Sequence, residues 1–155
     1  MSKILVTEEF LDTYEGEMLF LSQDLEELIH TLEADMFTQE TLALLNQKML
    51  DVSDVFLSSS YTQHVSPVFK EFAAFIILIK CNKLRKNNDA IEYLCEIVAD
   101  VNSYINLYFV ERSFGDVYLF QDSLKNSIDF LKRAYNKKGE SNDEDDGSLV
   151  LFLND

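Results

Sequence analysis

The chain has 155 residues, 47% of them hydrophobic, enough for one domain with a real core rather than a disordered polypeptide. Four glycines, one proline and no tryptophan supply too little turn chemistry for a many-stranded sandwich or barrel. A net charge of −15, with no lysine or arginine from residue 4 to residue 47, argues against direct binding to nucleic acid or an anionic membrane. The uses left for that charge are a basic protein partner or plain solubility.

A first helix is expected from about residue 8, because Leu11, Tyr14, Met18, Leu21, Leu25, Leu28 and Leu32 recur at steps of three and four. Thr7 is its candidate cap, and Glu8 and Glu9 suit the positive end of the helix dipole. Gly16 weakens the helix without breaking the stripe. Thr38 can cap a second helix whose inner face is Leu42, Leu45, Met49, Val52 and Phe56, and "SSSYTQHVS" ends it. Ser66-Pro67 has the form of a cap followed by a first-turn proline, starting a third helix over about 67–86. That helix is apolar nearly all round from Phe72 to Ile79, which predicts a place at the centre of the bundle. The cations in "CNKLRKNN" suit its negative end.

"DAIE" (89–92) has the form of a capping box with Asp89 as cap. The fourth helix, beginning there, carries Ile91, Leu94, Val98, Val101, Ile105 and Tyr108 on one stripe. After a break at "ERSFGD", a fifth helix places Val117, Phe120, Leu124, Ile128, Leu131 and Tyr135 together. "NKKGESNDEDDG" then reads as a disordered acidic linker leading to a short apolar tip, "SLVLFLND". The expected architecture is all-α: a five-helix antiparallel bundle over 1–136, then a disordered acidic C-terminal tail over 137–155.

Cys81 and Cys95 fall inside predicted helices without CxxC spacing, so buried free thiols in a reducing cytoplasm are expected. "MSKILVTEEF" lacks a signal-peptide core, and "FAAFIILI" (72–79) is too short to span a bilayer. No Walker loop, GxGxxG, HExxH, nucleophile elbow or metal-spaced cysteine cluster occurs, so no metal or cofactor is expected. His30, near Glu26, Glu27 and Glu33, reads as a solvated helix residue. His64, in the loop before the third helix, either assists the turn or belongs to a site.

The second helix contains Leu45, Asn46 and Met49, then Ser53, Phe56, Leu57 and Ser58. With its helix order, this resembles the histidine phosphotransfer (Hpt) family, in the five-helix form found at the N-terminus of chemotaxis histidine kinases. That family's second helix carries L-N-x-x-φ-x-x-x-H-x-x-K-G, where φ is apolar. In this register Ser53 stands at the phosphoacceptor, Phe56 at the lysine, and Leu57 and Ser58 at the glycines. Asp54 beside Ser53 would repel an incoming phosphoryl group. The resemblance implies a degenerate module that docks a receiver domain of a response regulator without exchanging phosphate. Ser53, Asp54, Leu57, Ser58 and His64 would then lie on its docking face.

"FQDSLKN" (120–126) is similar to the active helix of the chemotaxis phosphatase family CheZ, with its acid and amide one turn apart. That likeness implies in-line attack of water on a receiver's aspartyl phosphate, with Asn126 orienting the water and Asp122 pairing with the receiver's lysine. In the tail, Leu149, Leu151 and Phe152, with Val150 and Leu153, either anchor in a partner's groove or fold back on the bundle. The leading expectation is a non-enzymatic interaction module. A CheZ-like phosphatase and an acidic helical assembly chaperone or structural subunit are the alternatives.

Overall fold

The structure, a computed structural model, describes residues 8–60, 62–113 and 117–137, the last stretch without the side chains of its first three residues. Regular structure among the described residues is entirely helical, as expected. Helix α1 spans Glu8–Glu33, α2 Gln39–Leu57, α3 Ser66–Leu78, α4 Cys81–Arg85, α5 Asn88–Ile105 and α6 Val117–Asn136. A 3-10 turn, Gln63–Val65, leads into α3, and a π-helical stretch, Asn106–Val110, prolongs α5. Thr7 and residues 138–155, including Leu149, Leu151 and Phe152, lie outside the described residues.

The expected stripes line the core, with Tyr14 and Ile91 half-buried at its edge and the side chain of Val117 outside the described residues. Met18, Leu25, Met49, Val52, Phe72, Val98, Val101 and Ile128 are each 0% exposed, whereas His30 sits at the surface. Phe69 ties three helices together, meeting Phe56 of α2 at 5.4 Å between ring centroids and Phe120 of α6 at 6.0 Å.

Four expectations change. The third helix is not enclosed at the centre of the bundle: Ile77 and Leu78 of its apolar run are 53% and 67% exposed. The third helix does not run to residue 86: the backbone opens at Ile79 and Lys80, with ψ of 134° and 126°, and resumes as α4. Side chains from elsewhere satisfy the freed backbone groups there. Gln39 donates to the Ile79 carbonyl at 3.1 Å and accepts from the Cys81 N–H at 2.6 Å, while the Tyr135 hydroxyl accepts from the Lys80 N–H at 2.8 Å. The described residues therefore hold six α-helices where five were expected. Ser66 is not a cap but the first residue of α3, its hydroxyl turned inward. Asn87, not Asp89, caps α5, accepting from the Ala90 N–H at 3.0 Å. Thr38 does cap α2, and Thr41 closes the reciprocal bond at 3.2 Å.

The long helices close a ring in the order α1, α2, α3, α6, α5. Asp24 meets Lys48 and Tyr14 meets Ser58, so α1 and α2 are antiparallel. The pairs Ser53–Ser66 and Asn46–Ala73 make α2 and α3 antiparallel. Ser22–Asn102 with Phe10–Phe109, and Tyr93–Phe130 with Tyr104–Phe120, do the same for α1–α5 and α5–α6. An odd ring of alternating helices must contain one parallel seam, and it is α3–α6: Glu71 meets Lys125, Phe75 meets Tyr135, and Lys80 also meets Tyr135. The bundle is thus antiparallel at every seam but that one. The loop ends of α1 and α3, the start of α5 and the end of α6 share one pole.

Candidate functional site

Ser53 was expected on a docking face and is instead inside the protein. It is 0% exposed, and its hydroxyl lies 2.5 Å from that of Ser66 in the seam between α2 and α3. The reason is periodicity. Position 53 comes after Leu45 and Met49 at steps of four, and residues so spaced stack on one face of a helix. Phe56, in the register of the Hpt lysine, is 1% exposed because it follows Val52 by four and Met49 by seven on the inner face. An α2 aligned on "LN" therefore turns toward the core the side chains that phosphotransfer needs in solvent.

Asp54, Leu57 and Ser58 do reach the surface, at the foot of α2. Ser58 accepts from the Tyr14 hydroxyl at 3.0 Å and donates to the Asp54 carbonyl at 3.2 Å, so Ser58 faces α1. His64 is half-buried in the 3-10 turn, and its carbonyl accepts from Gln121 of α6 at 3.3 Å. The expected face is therefore split between two sides of the bundle. Asp122 and Asn126 are both exposed on α6, one turn apart. Between them in sequence, Lys125 is held by Glu71 at 2.9 Å and Asp129 at 3.2 Å. Burial pushes the Glu71 carboxyl up, but hydrogen bonds from Lys132 and Lys125 outweigh it and hold Glu71 below its ordinary value.

A larger feature lies along the seam of α1 and α2. Gly16, Glu17, Phe20 and Asp51 border an open cavity of about 560 Å³, and a Cβ built on Gly16 would meet nothing within 4 Å. Across the Asp24–Lys48 ion pair, 2.7 Å long, the groove continues into a second hollow of about 280 Å³ bordered by Glu27, Thr31, Thr41 and Leu44. Phe20 stands 71% exposed and Leu44 47% exposed beside it. The groove is thus apolar in places and rimmed by four carboxylates, Glu17, Asp24, Glu27 and Asp51, against one cation, Lys48. The sequence signal for it is Phe20 itself, an aromatic outside the Met18–Leu21–Leu25 stripe of a helix otherwise acidic on that side.

A third hollow, about 430 Å³, flanks the π-helical stretch at Asn102, Tyr104 and Asn106. Asn106 donates to Ser22 Oγ at 3.0 Å and to the Asn102 carbonyl at 2.9 Å, and Ser22 also bonds Asn102, so these amides lock α1 to α5. Among the described residues there is no cluster of three or more His, Cys, Asp or Glu side chains able to hold a metal ion. No helix among them is long and apolar enough to cross a membrane. Comparison with family models, curated proteins and solved structures finds no match to the chain.

Proposed function

We propose that the chain is a non-enzymatic protein-interaction module that holds a basic, partly apolar segment of a partner protein in the groove between α1 and α2. The observation that carries this reading is Phe20, 71% exposed between Glu17 and Asp24 at the open end of the groove. An exposed aromatic ring at the mouth of a groove is a ready anchor for an interface, and surrounding charges steer and orient the partner. The reading joins the expectation of an acidic assembly or structural subunit to a defined surface. A receiver domain, the partner implied by the Hpt likeness, would have to meet this groove or the Asp54–Leu57–Ser58 corner. It has no acceptor at Ser53. The buried free thiols Cys81 and Cys95 fit a reducing compartment such as the cytoplasm.

Capture from an extract of the source cell tests the proposal. A partner held by the wild-type chain and by a Phe130→Ser control, but lost on Phe20→Ser and on Glu17→Lys with Asp51→Lys, supports it. Equal capture by all forms refutes the groove.

A second reading rests on the shared exposure of Asp122 and Asn126. Residues four apart on a helix face the same way, which suits attack on a receiver's aspartyl phosphate. It requires that the chain accelerate dephosphorylation of a receiver and that Asn126→Ala remove the acceleration. No acceleration by the wild-type chain ends it.

A further inference from the structure

Where α3 stops, α4 turns and α6 finishes, the charge of this acidic protein is locally inverted, while Glu33, Asp35, Glu40 and Asp89 stand on the other helix ends of the same pole. Residues 72–88 and 130–137 contain no aspartate or glutamate. Lys132 among them is tied to Glu71 at 2.6 Å. Lys80, Lys83, Arg85, Lys86, Arg133 and Lys137 are all exposed there. Lys83 lies over the Tyr135 ring at 4.3 Å, Arg133 over the Phe130 ring at 4.8 Å, and Arg85 donates to the Phe37 carbonyl. Rings and a carbonyl fix these side chains in place but do not neutralise them.

The same pole carries bare apolar surface. Leu78 is 67% and Ile77 53% exposed at the last turn of α3. Leu78 sits one turn beyond Phe75, whose ring meets Tyr135 edge-on at 5.6 Å. Because α3 and α6 run parallel, the chain leaves α6 at Lys137 beside the turn that ends in Leu78. Beyond Lys138 and Gly139, the amino acids of the chain are complementary to that surface in order. Glu140, Asp143, Glu144, Asp145 and Asp146 come first, and the run Leu149–Leu153 comes next.

We propose that residues 140–153 of the same chain occupy this pole, the acidic run against the cations of α4 and the end of α6, and the apolar run over Leu78 and Ile77. Reach does not limit the contact: the stretch from Lys137 to Leu149 spans up to about 40 Å when extended, whereas α3 is only about 20 Å long. Tethering raises the local concentration of the segment to the millimolar range, so a contact too weak to hold a free peptide is populated within the chain. Docking also removes two exposed apolar surfaces from water together, which limits self-association. The proposal stands apart from the α1–α2 groove and survives its failure.

The test uses the full chain with a photoreactive phenylalanine analogue at position 152, irradiated across a dilution series, with adducts mapped by mass spectrometry. The expected product is an intramolecular adduct to residues 75–86 or 130–137, in a yield independent of protein concentration. Lys80→Glu with Lys86→Glu should lower that yield about threefold to tenfold, and raised salt should lower it likewise. Both lysines are exposed, and a melting curve checks that the double variant stays folded. Adducts elsewhere on the bundle, adducts between two copies that vanish on dilution, the absence of any adduct, or a yield indifferent to the charge reversals would each overturn the proposal.

Discussion

Ser53→Ala removes a single oxygen and should nevertheless destabilise the fold measurably. The hydroxyls of Ser53 and Ser66 meet at 2.5 Å, and the two residues are 0% and 1% exposed. Deleting one partner strands the other in a seam made of Val52, Phe56, Phe69 and their neighbours. An abandoned buried hydroxyl of this kind costs about 1–3 kcal/mol. For a domain of this size each kcal/mol lowers Tm by about 2–4 °C, so the expected drop is roughly 2–12 °C. Ser66→Ala should cost less, because the Ser53 hydroxyl keeps the Ser66 backbone carbonyl as an acceptor at 3.4 Å. The double replacement removes both polar groups and leaves a small apolar contact, so it should cost far less than the sum, with a coupling of about 1–3 kcal/mol. Thermal and urea melts of the four proteins close the cycle. A Ser53→Ala effect within about 0.5 kcal/mol, the scale of surface changes, would refute the buried pair and return Ser53 to the exterior.

Phe69→Ala should cost about 3–5 kcal/mol in urea unfolding, because its ring joins α2, α3 and α6, and a loss under about 1 kcal/mol would contradict that packing. Glu71→Gln should flatten the acid side of the stability curve. The folded-state pKa of Glu71 is depressed, so its contribution is present above the unfolded value and is lost as pH falls through the folded one. With Glu71 partly exposed, the loss near neutral pH should be about 1 kcal/mol or less, and an unchanged acid limb would count against the Lys125–Glu71–Lys132 cluster. Burial first, then Glu33, Glu92 and Glu96, push the Cys95 thiol up from an ordinary 9.0 to about 11. At pH 8 only about one thiol in a thousand is then ionised, so labelling by a thiol reagent should proceed at the rate of unfolding, and rapid labelling of the native protein would show Cys95 to be accessible.

The amphipathic stripes were legible in the sequence because burial in a helical bundle depends on spacing of three and four, which is a local property. The break between α3 and α4 was not legible, since it depends on Gln39 and Tyr135, some forty and fifty-five residues away in the chain. The choice of cap at α5 has the same character. Asp89 and Asn87 are both good caps, and Asn87 prevails where its Nδ2 also donates to the Ala134 carbonyl of α6 at 2.8 Å. Ser53 misled because a polar residue on a helix suggests solvent, while its partner Ser66 lies on another helix. The α1–α2 groove was half visible: the acidity of residues 8–40 stood out, but the pairing that sets Phe20 opposite Asp51 is tertiary.

The central claim is that the groove between α1 and α2 receives a partner. The most direct measurement places a photoreactive phenylalanine analogue at position 20, with a control at position 130, and irradiates the source cells. The account predicts adducts at position 20 to a protein segment rich in lysine or arginine with apolar residues interspersed, lost when Glu17 and Asp51 become lysine. Adducts to other proteins in equal yield at both positions, or an acidic segment at position 20, would contradict it.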